Sequence, residues 1–531
     1  MTNTDKTLCL LLYIDDFGIT NPIGASKTKH KITAIYYSIV NLYPWTRNKD
    51  ENMQLVLLTY SSDFNEYREE HLNHVVKEIN SLEEEKLSVS GKSFSVRVFA
   101  LAGDNLGSNS VGGFISSFRL GVPCCRVCTS NVEVLKNYNR YELRNVENFN
   151  ASLDTVLSDE TINHSNGVKT WTPLNNLSEF HSTTHMPPCC AHDLLEGLVK
   201  TDLHLFLKHL CKNKKYFDMS FLNKAIDEFK FKGRDATLRP PHISINKNIS
   251  GTASQMWALI RFLPVLIEEK VPSTDSVWML TISLRKICLT VLSPSLTMKQ
   301  IARMNTDIRE YLLLRRREFP EENFKPKHHF LEHYAYLTMK FGPLIYSCTL
   351  RFEAKHQFFK RTIRAAQNFI NVTKTLVEKH ELHQAHLRSV GSHQSPQKNT
   401  VLFESLSHIH GEKIVNALKA CHGLRHTNNY LVTPKIRNRG YLYKNGTVVA
   451  TVIDQEVTYC LIELIVVFGS QEIISFYVVL NKLEVCETAG ALKITPENRF
   501  TCINANDITH PFPLEVYIRN NSNYIVPKHD I

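Results

Sequence analysis

The chain has 531 residues, 43% of them hydrophobic, which is more than a single core of roughly 250 to 300 residues organises, so several domains are expected. Its 62 basic against 52 acidic side chains give a formal charge of +10, which suits a polyanionic partner without requiring one. Thirteen cysteines, an odd number, and a start with no charged n-region, apolar h-region and cleavage site argue against secretion and a disulfide framework, and point to a reducing compartment.

The first predicted element, LCLLLYI (8–14), is apolar enough for a buried strand and ends on two adjacent carboxylates, Asp15 and Asp16. KITAIYYSIV (31–40), MQLVLLTY (53–60) and FSVRVFALA (94–102) read as three more strands, with an amphipathic helix over 64–87 between the last two. GDNLGSNSVGGFISSF (103–118) then reads as a turn opening into a short helix. Three strands on short connections, a helix and a parallel fourth strand form the order that opens a ribonuclease H-like fold. In that fold one carboxylate sits on the first strand and another at the end of the fourth, the places held by Asp15 and Asp104.

From about residue 131 to 345 the apolar spacing is mostly helical, with no repeat of about 20 to 50 residues. A further helix is expected over 351–387, a linker around 388–400, and short strands with turn signals at the C-terminal end, suggesting a small β-barrel or β-sandwich. LIELIVVFGSQEIISFYVVL (461–480) carries Glu463, Gln471 and Glu472 and reads as two strands rather than a membrane span. The expected architecture is α/β: a ribonuclease H-like core (1–130), interrupted by a large helical insertion (131–345) and completed by a helix (346–387), then a linker region (388–430) and a small all-β domain (431–531).

Metal-assisted phosphoryl transfer needs several carboxylates converging on divalent cations, and the third is expected from a helix. Glu353 is the candidate. It opens a helix that carries Lys360, Arg361 and Arg364 behind it, a basic stripe suited to a phosphate backbone. The plainer alternatives are a strand ending in an Asp turn and an ordinary amphipathic helix with a solvated face. Basic segments such as KNKK (212–215), KFKGR (230–234) and LLRRRE (313–318) also read as solvated helix faces or ends when taken singly. Cys125 and Cys128 form a CxxC, and KHHFLEH (327–333) offers His328, His329 and His333. Two cysteines with two histidines make a tetrahedral zinc set, the His329/His333 spacing being usual and His328/His333 slightly wide. The competing reading of the CxxC is a buried thiol pair or a redox motif.

YIDDFGITNPIGASKTKHKITAIYYSI, LAGDNLGSNSVGGFISSF, CRVC, HDLLEGL, KPKHHFLEHY and RFEAKHQFFK resemble, in this order, a group of animal transposon-encoded proteins related to CACTA-type transposases of the DDE class. The resemblance runs from about residue 12 to 380. Cys125 and Cys128 lie 21 and 24 residues after Asp104, and His328 and His333 lie 25 and 20 before Glu353. These separations are similar to those of the V(D)J recombinase core. The resemblance thus implies a catalytic triad of Asp15, Asp104 and Glu353, with Asp16 and Glu196 as fallbacks. It implies Mg²⁺ or Mn²⁺ at the acids, and a structural zinc on Cys125, Cys128, His328 and His333, with His329 as the fallback. DNA ends and target as partners, a homo-oligomer and a nuclear location are further implications, with no membrane association. Two departures favour a catalytically silent remnant. Cys189 and Cys190 follow the Pro-Pro where the group has an acid, and with 14 residues before Asp15 the upstream DNA-binding region is expected to be missing.

Overall fold

β1 (Thr7–Gly18) is the central strand of the N-terminal sheet, and its unbroken apolar run follows from burial on both faces. A computed structural model gives the placement of residues 6–19, 31–47, 49–117, 125–130, 141–366, 370–391, 402–405, 411–421, 429–469 and 474–530. β2 (Lys31–Ile39) pairs antiparallel with β1, and β3 (Met53–Tyr60) antiparallel with β2. On the other side of β1 lies β5 (Lys92–Ala102), parallel to it, with the short β4 (Leu87–Val89) beyond, so the order is β3-β2-β1-β5-β4.

Strand alternation sorts the two faces of this sheet. Leu11, Tyr13 and Phe17 pack with Phe352, Phe359 and Ile363 of the Leu350–Ala366 helix. Leu12 and Ile14 pack instead with Leu72, Val75, Val76 and Ile79 of the Arg68–Glu84 helix. Burying each such side chain contributes about 1.5–3 kcal/mol. The segment expected as one helix over 64–87 is two, Ser61–Glu66 and Arg68–Glu84, broken where Tyr67 leaves helical dihedrals (φ −113°, ψ 41°). Likewise the helix expected over 351–387 is described as Leu350–Ala366 and Val372–Gly391, with 367–369 outside the described residues.

The molecule is mixed α/β with a helical middle and an antiparallel β region at the C-terminal end. It forms two compact units. The first draws on Met1–Leu194, Pro294–Leu312 and Phe319–His393, and the second on Leu195–Ser293, Leu313–Glu318 and Gln394–Ile531. Within the second, the Ala253–Ile267 helix starts on a Thr252/Gln255 capping box and is almost wholly buried. Its Arg261 meets Asp235, which also accepts a hydrogen bond from Tyr517 at 2.9 Å.

The C-terminal strands are β10 (Val448–Ile453), β11 (Glu456–Gly469), β12 (Ile474–Thr488), β13 (Ala491–Asn504), β14 (His510–Leu514), β15 (Val516–Arg519) and β16 (Ser522–Ile525). They pair in the order β14-β10-β11-β12-β13-β16-β15, with two further short strands, β7 (Asn429–Val432) on β11 and β6 (Leu402–Ser405) on β7. All nine form one antiparallel sheet, and β8 (Lys435–Asn438) and β9 (Tyr441–Lys444) make a separate pair. The segment 461–480 supplies parts of β11 and β12, with 470–473 outside the described residues. Within 388–430 the described residues hold β6, the Glu412–Ala420 helix and the start of β7, and 392–401 lie outside them. Among the described residues no helix is long and apolar enough to cross a membrane.

Candidate functional site: a Cys/His cluster and three carboxylates

Cys125 and Cys128 flank a tight turn in which the Val127 N–H donates to the Cys125 sulfur at 3.3 Å. The turn is pinned from outside, because Arg144 donates from its main-chain N to the Val127 oxygen at 2.9 Å and from Nε to the Cys125 oxygen at 2.8 Å. The histidines come from the Pro326–Leu331 helix and the turn that follows it. One helical turn is 3.6 residues, so positions four apart project about 40° from each other and positions five apart about 140°. His329 and His333 therefore face one point and His328 does not.

The cluster is accordingly Cys125, Cys128, His329 and His333, all buried, with their ligand atoms within 4.8 Å of one another. This corrects the expected His328, which is fully buried elsewhere. Its Nδ1 accepts the Lys325 main-chain N–H at 2.9 Å at the helix start. Cys128 Sγ lies 3.1 Å from His329 Nε2, Cys125 Sγ lies 3.4 Å from His333 Nε2, and the two Nε2 atoms are 3.2 Å apart. Tetrahedral zinc with ordinary bond lengths places two nitrogens about 3.3 Å apart and a nitrogen and sulfur about 3.6 Å apart. The donor set fits, and these four residues could hold a zinc ion. Burial alone would raise the Cys125 thiol, but Cys128 and the two imidazoles outweigh it and hold Cys125 well below the usual thiol range.

β1 and β5 are parallel, with Tyr13 level with Ala102, so two residues further along both chains Asp15 and Asp104 come level. Asp104 caps the Asn105–Val111 helix by accepting the Gly107 N–H at 2.6 Å. Gly103 before it is required by close approach, since a Cβ there would come 2.9 Å from Ser108 Oγ and 3.3 Å from the Ile14 oxygen. Asp15 shares the face of Tyr13 and Phe17, and so faces the helix that carries Glu353. Asp16 points to the opposite face, where Lys31 pairs with it at 3.0 Å and the Thr33 hydroxyl donates to it.

Asp15 accepts the Tyr13 hydroxyl on Oδ2 and the Asp16 N–H on Oδ1, each at 2.7 Å. Burial pushes its carboxyl up to about 6; those two hydrogen bonds oppose the shift, and the charges of Glu353 and Asp104 add to it. Glu196, the rival third acid, belongs to the second unit and is half-buried on the π-helical segment Ala191–Leu198. Burial and Lys360 push His356, stacked on Phe17 at 4.4 Å, down to about 3, so it is neutral beside Asp15. Behind Glu353, Lys360 is half-buried and Arg361 and Arg364 are exposed.

Thr349 and His192 beside Glu353 escaped the sequence reading, and the link from Cys189 to this acid was not legible there. Thr349 donates to Glu353 Oε1 at 2.6 Å, His192 Nε2 lies 3.7 Å from the same oxygen, and Cys189 Sγ is 3.1 Å from the Thr349 hydroxyl. His192 sits inside the HDLLEGL motif, but its closeness to Glu353, 161 residues away in the chain, has no local signature. No protein-family model matches the chain, and a search of curated proteins returns no match.

Proposed function

We propose that the chain is a transposon-derived DDE-class transposase, whose acids Asp15, Asp104 and Glu353 carry out metal-dependent DNA strand cleavage and strand transfer on a ribonuclease H-like core. The observation that carries the reading is electrostatic. A carboxyl raised to about 6 by burial and by two neighbouring carboxylates is an arrangement that costs stability unless a cation relieves it. Support for the core comes from an antiparallel β3-β2-β1 run with β5 parallel to β1 and helices on both faces.

Divalent cations, Mg²⁺ or Mn²⁺, held by these acids would neutralise the phosphodiester and make water, then a 3′-hydroxyl, nucleophilic. The protein's own part is positioning. Tyr13 and the Asp16 N–H leave one lone pair free on each Asp15 oxygen, and Thr349 holds Glu353 by one oxygen, leaving the other free. Arg361 and Arg364 on the exposed side of the Glu353 helix suit DNA phosphates, with Lys360 beside them. DNA ends and target as partners, a homo-oligomer and a nuclear location complete the proposal.

A second reading is a catalytically silent remnant that binds DNA or protein. It is favoured by Cys189, which stands where the resembled group has an acid and instead contacts the Thr349 hydroxyl that holds Glu353. One experiment separates them. Full-length protein is incubated with Mn²⁺, a supercoiled plasmid and a labelled duplex bearing a free 3′-hydroxyl. Joining of the duplex to the plasmid, lost in Asp15→Asn and Glu353→Gln, is the expected result. No nicking or joining, with Mn²⁺ still bound, selects the silent reading. No Mn²⁺ binding at all overturns the triad.

A further inference from the structure

Between the two cluster cysteines stands a residue whose side chain has no part in holding metal. Arg126 is fully buried, a costly place for a guanidinium unless its donors are taken up. Nε donates to the Met186 main-chain oxygen at 2.7 Å, and Nη1 to the side-chain oxygens of Asn105 at 3.0 Å and Asn109 at 3.2 Å. Both asparagines lie in the Asn105–Val111 helix, whose cap is Asp104. The guanidinium also lies over the ring of Phe330, the neighbour of His329 in the chain, at 5.7 Å.

A second line of contacts starts from the histidine half of the cluster and ends on the same asparagine. Tyr334 follows His333, and its hydroxyl donates to Asp193 Oδ2 at 3.0 Å. Asp193 Oδ1 in turn accepts the Asn105 side-chain N–H at 2.6 Å. Asn105 thus has its oxygen held from the cysteine side and its nitrogen from the histidine side. Asp193, Tyr334, Asn109 and Arg126 are all within the buried core, where hydrogen bonds are not exchanged with water.

We infer that the Cys/His cluster sets the position of Asp104 through Arg126 and the Tyr334–Asp193 pair, which converge on Asn105 at the first turn of the helix that Asp104 caps. Arg126 is a positioning residue, and a metal bound at the cluster orders a carboxylate it does not touch. Two cysteines held by zinc fix the main chain on either side of Arg126, and two histidines held by the same ion fix the entry to Tyr334. The meaning of that order for metal binding at Asp15, Asp104 and Glu353 rests on the function proposed above; the mechanical link does not.

The test is therefore read in two ways on the full-length protein. Hydrogen–deuterium exchange of the 103–112 segment reports the link itself, and Mn²⁺ titration followed by electron paramagnetic resonance reports the acids. Arg126→Lys keeps the charge but loses the planar fork that reaches Met186, Asn105 and Asn109 together. The expected result is one zinc per chain retained, exchange at 103–112 faster by at least tenfold, and Mn²⁺ affinity weaker by about tenfold. Should Arg126→Lys fail to fold, Tyr334→Phe cuts only the second line, and exchange at 103–112 should rise severalfold with zinc unchanged. Exchange at 103–112 that stays at the wild-type rate in a folded variant overturns the inference. Should the wild-type protein bind no Mn²⁺, faster exchange at 103–112 in Arg126→Lys still upholds the link and counts only against the acids as a metal site.

Discussion

The Cys/His cluster and the three carboxylates proposed above to bind metal are built on opposite principles. Cys125, Cys128, His329 and His333 are closed off from solvent, with their four donor atoms already converged. Asp15 and Glu353 keep 28% and 32% of their side chains exposed, and burial, with the charges of Glu353 and Asp104 adding to it, pushes the Asp15 carboxyl up. A closed donor set adds to folding stability when it binds its ion, whereas an open set of like charges subtracts from it until a cation arrives. The difference separates a closed set suited to stabilising the fold from an open one proposed to react, with the buried Arg126 and Asn105 between them.

The comparison breaks first at the cluster. Cys128→Ser is expected to abolish zinc binding and to cost more than about 4 kcal/mol in denaturant unfolding, the scale of a lost structural metal. His328→Asn, one position from the cluster, should keep one zinc per chain and cost less than the first variant, since it disturbs a capping contact and packing rather than a donor of the cluster. Elemental analysis that finds zinc lost in the second variant rather than the first would return His328 to the ligand set.

Next in size is the anchoring of the Glu353 helix. Lys355 Nζ donates to Asp50 Oδ1 at 3.0 Å and to the Met53 oxygen at 2.6 Å, and the Lys355 charge holds Asp50 below the usual carboxylate range. Lys355→Met should cost about 1–3 kcal/mol. Because the folded pKa of Asp50 is depressed, its contribution is present above the unfolded value near 3.8 and lost as pH falls below it. The loss on Lys355→Met should shrink in acid, and equal losses at pH 3 and pH 7 would assign the effect to packing alone.

Asp15 shows the opposite sign. Its folded pKa is raised, so the folded state holds the extra proton and stability falls as pH rises from about 4 to about 6, by at most about 3 kcal/mol. Without added divalent cation, wild type should lose stability over this window relative to Asp15→Asn, and Mn²⁺ should restore it to wild type alone. Parallel unfolding curves for the two proteins across pH 4–7 would remove the open, repulsive site from the comparison.

The smallest effect on stability belongs to the exposed pair Arg361 and Arg364. Replacing both by Ala should change unfolding by no more than about 0.5 kcal/mol each while lowering the salt slope of DNA binding by about two, as measured by anisotropy. An unchanged slope would place the phosphate contacts elsewhere.

Local pattern carried a good part of this. The burial of β1 on both faces was legible in 8–14 because only a strand covered on each side tolerates an unbroken apolar run, and the helical middle was legible from apolar spacing. The helix breaks near Tyr67 and at 370–371 were not legible in the apolar spacing, which runs on through both. At the cluster, four-residue spacing pointed to His329 while the resemblance pointed to His328. The local geometric rule prevailed because rings on a helix meet only when the turn brings them round to one side.

What the sequence by itself determined is what short-range sterics and burial dictate: strand, helix and the CxxC, with His329 and His333 at the usual ligand spacing. Tertiary structure alone decided that Asp15 rather than Asp16 faces Glu353, because that depends on which face of β1 the Leu350–Ala366 helix covers. It alone brought His192 and Thr349 to Glu353, and Arg126 and Asp193 to Asn105. Those contacts join residues far apart in the chain, and no periodicity records which buried polar groups will find each other once the cores have closed.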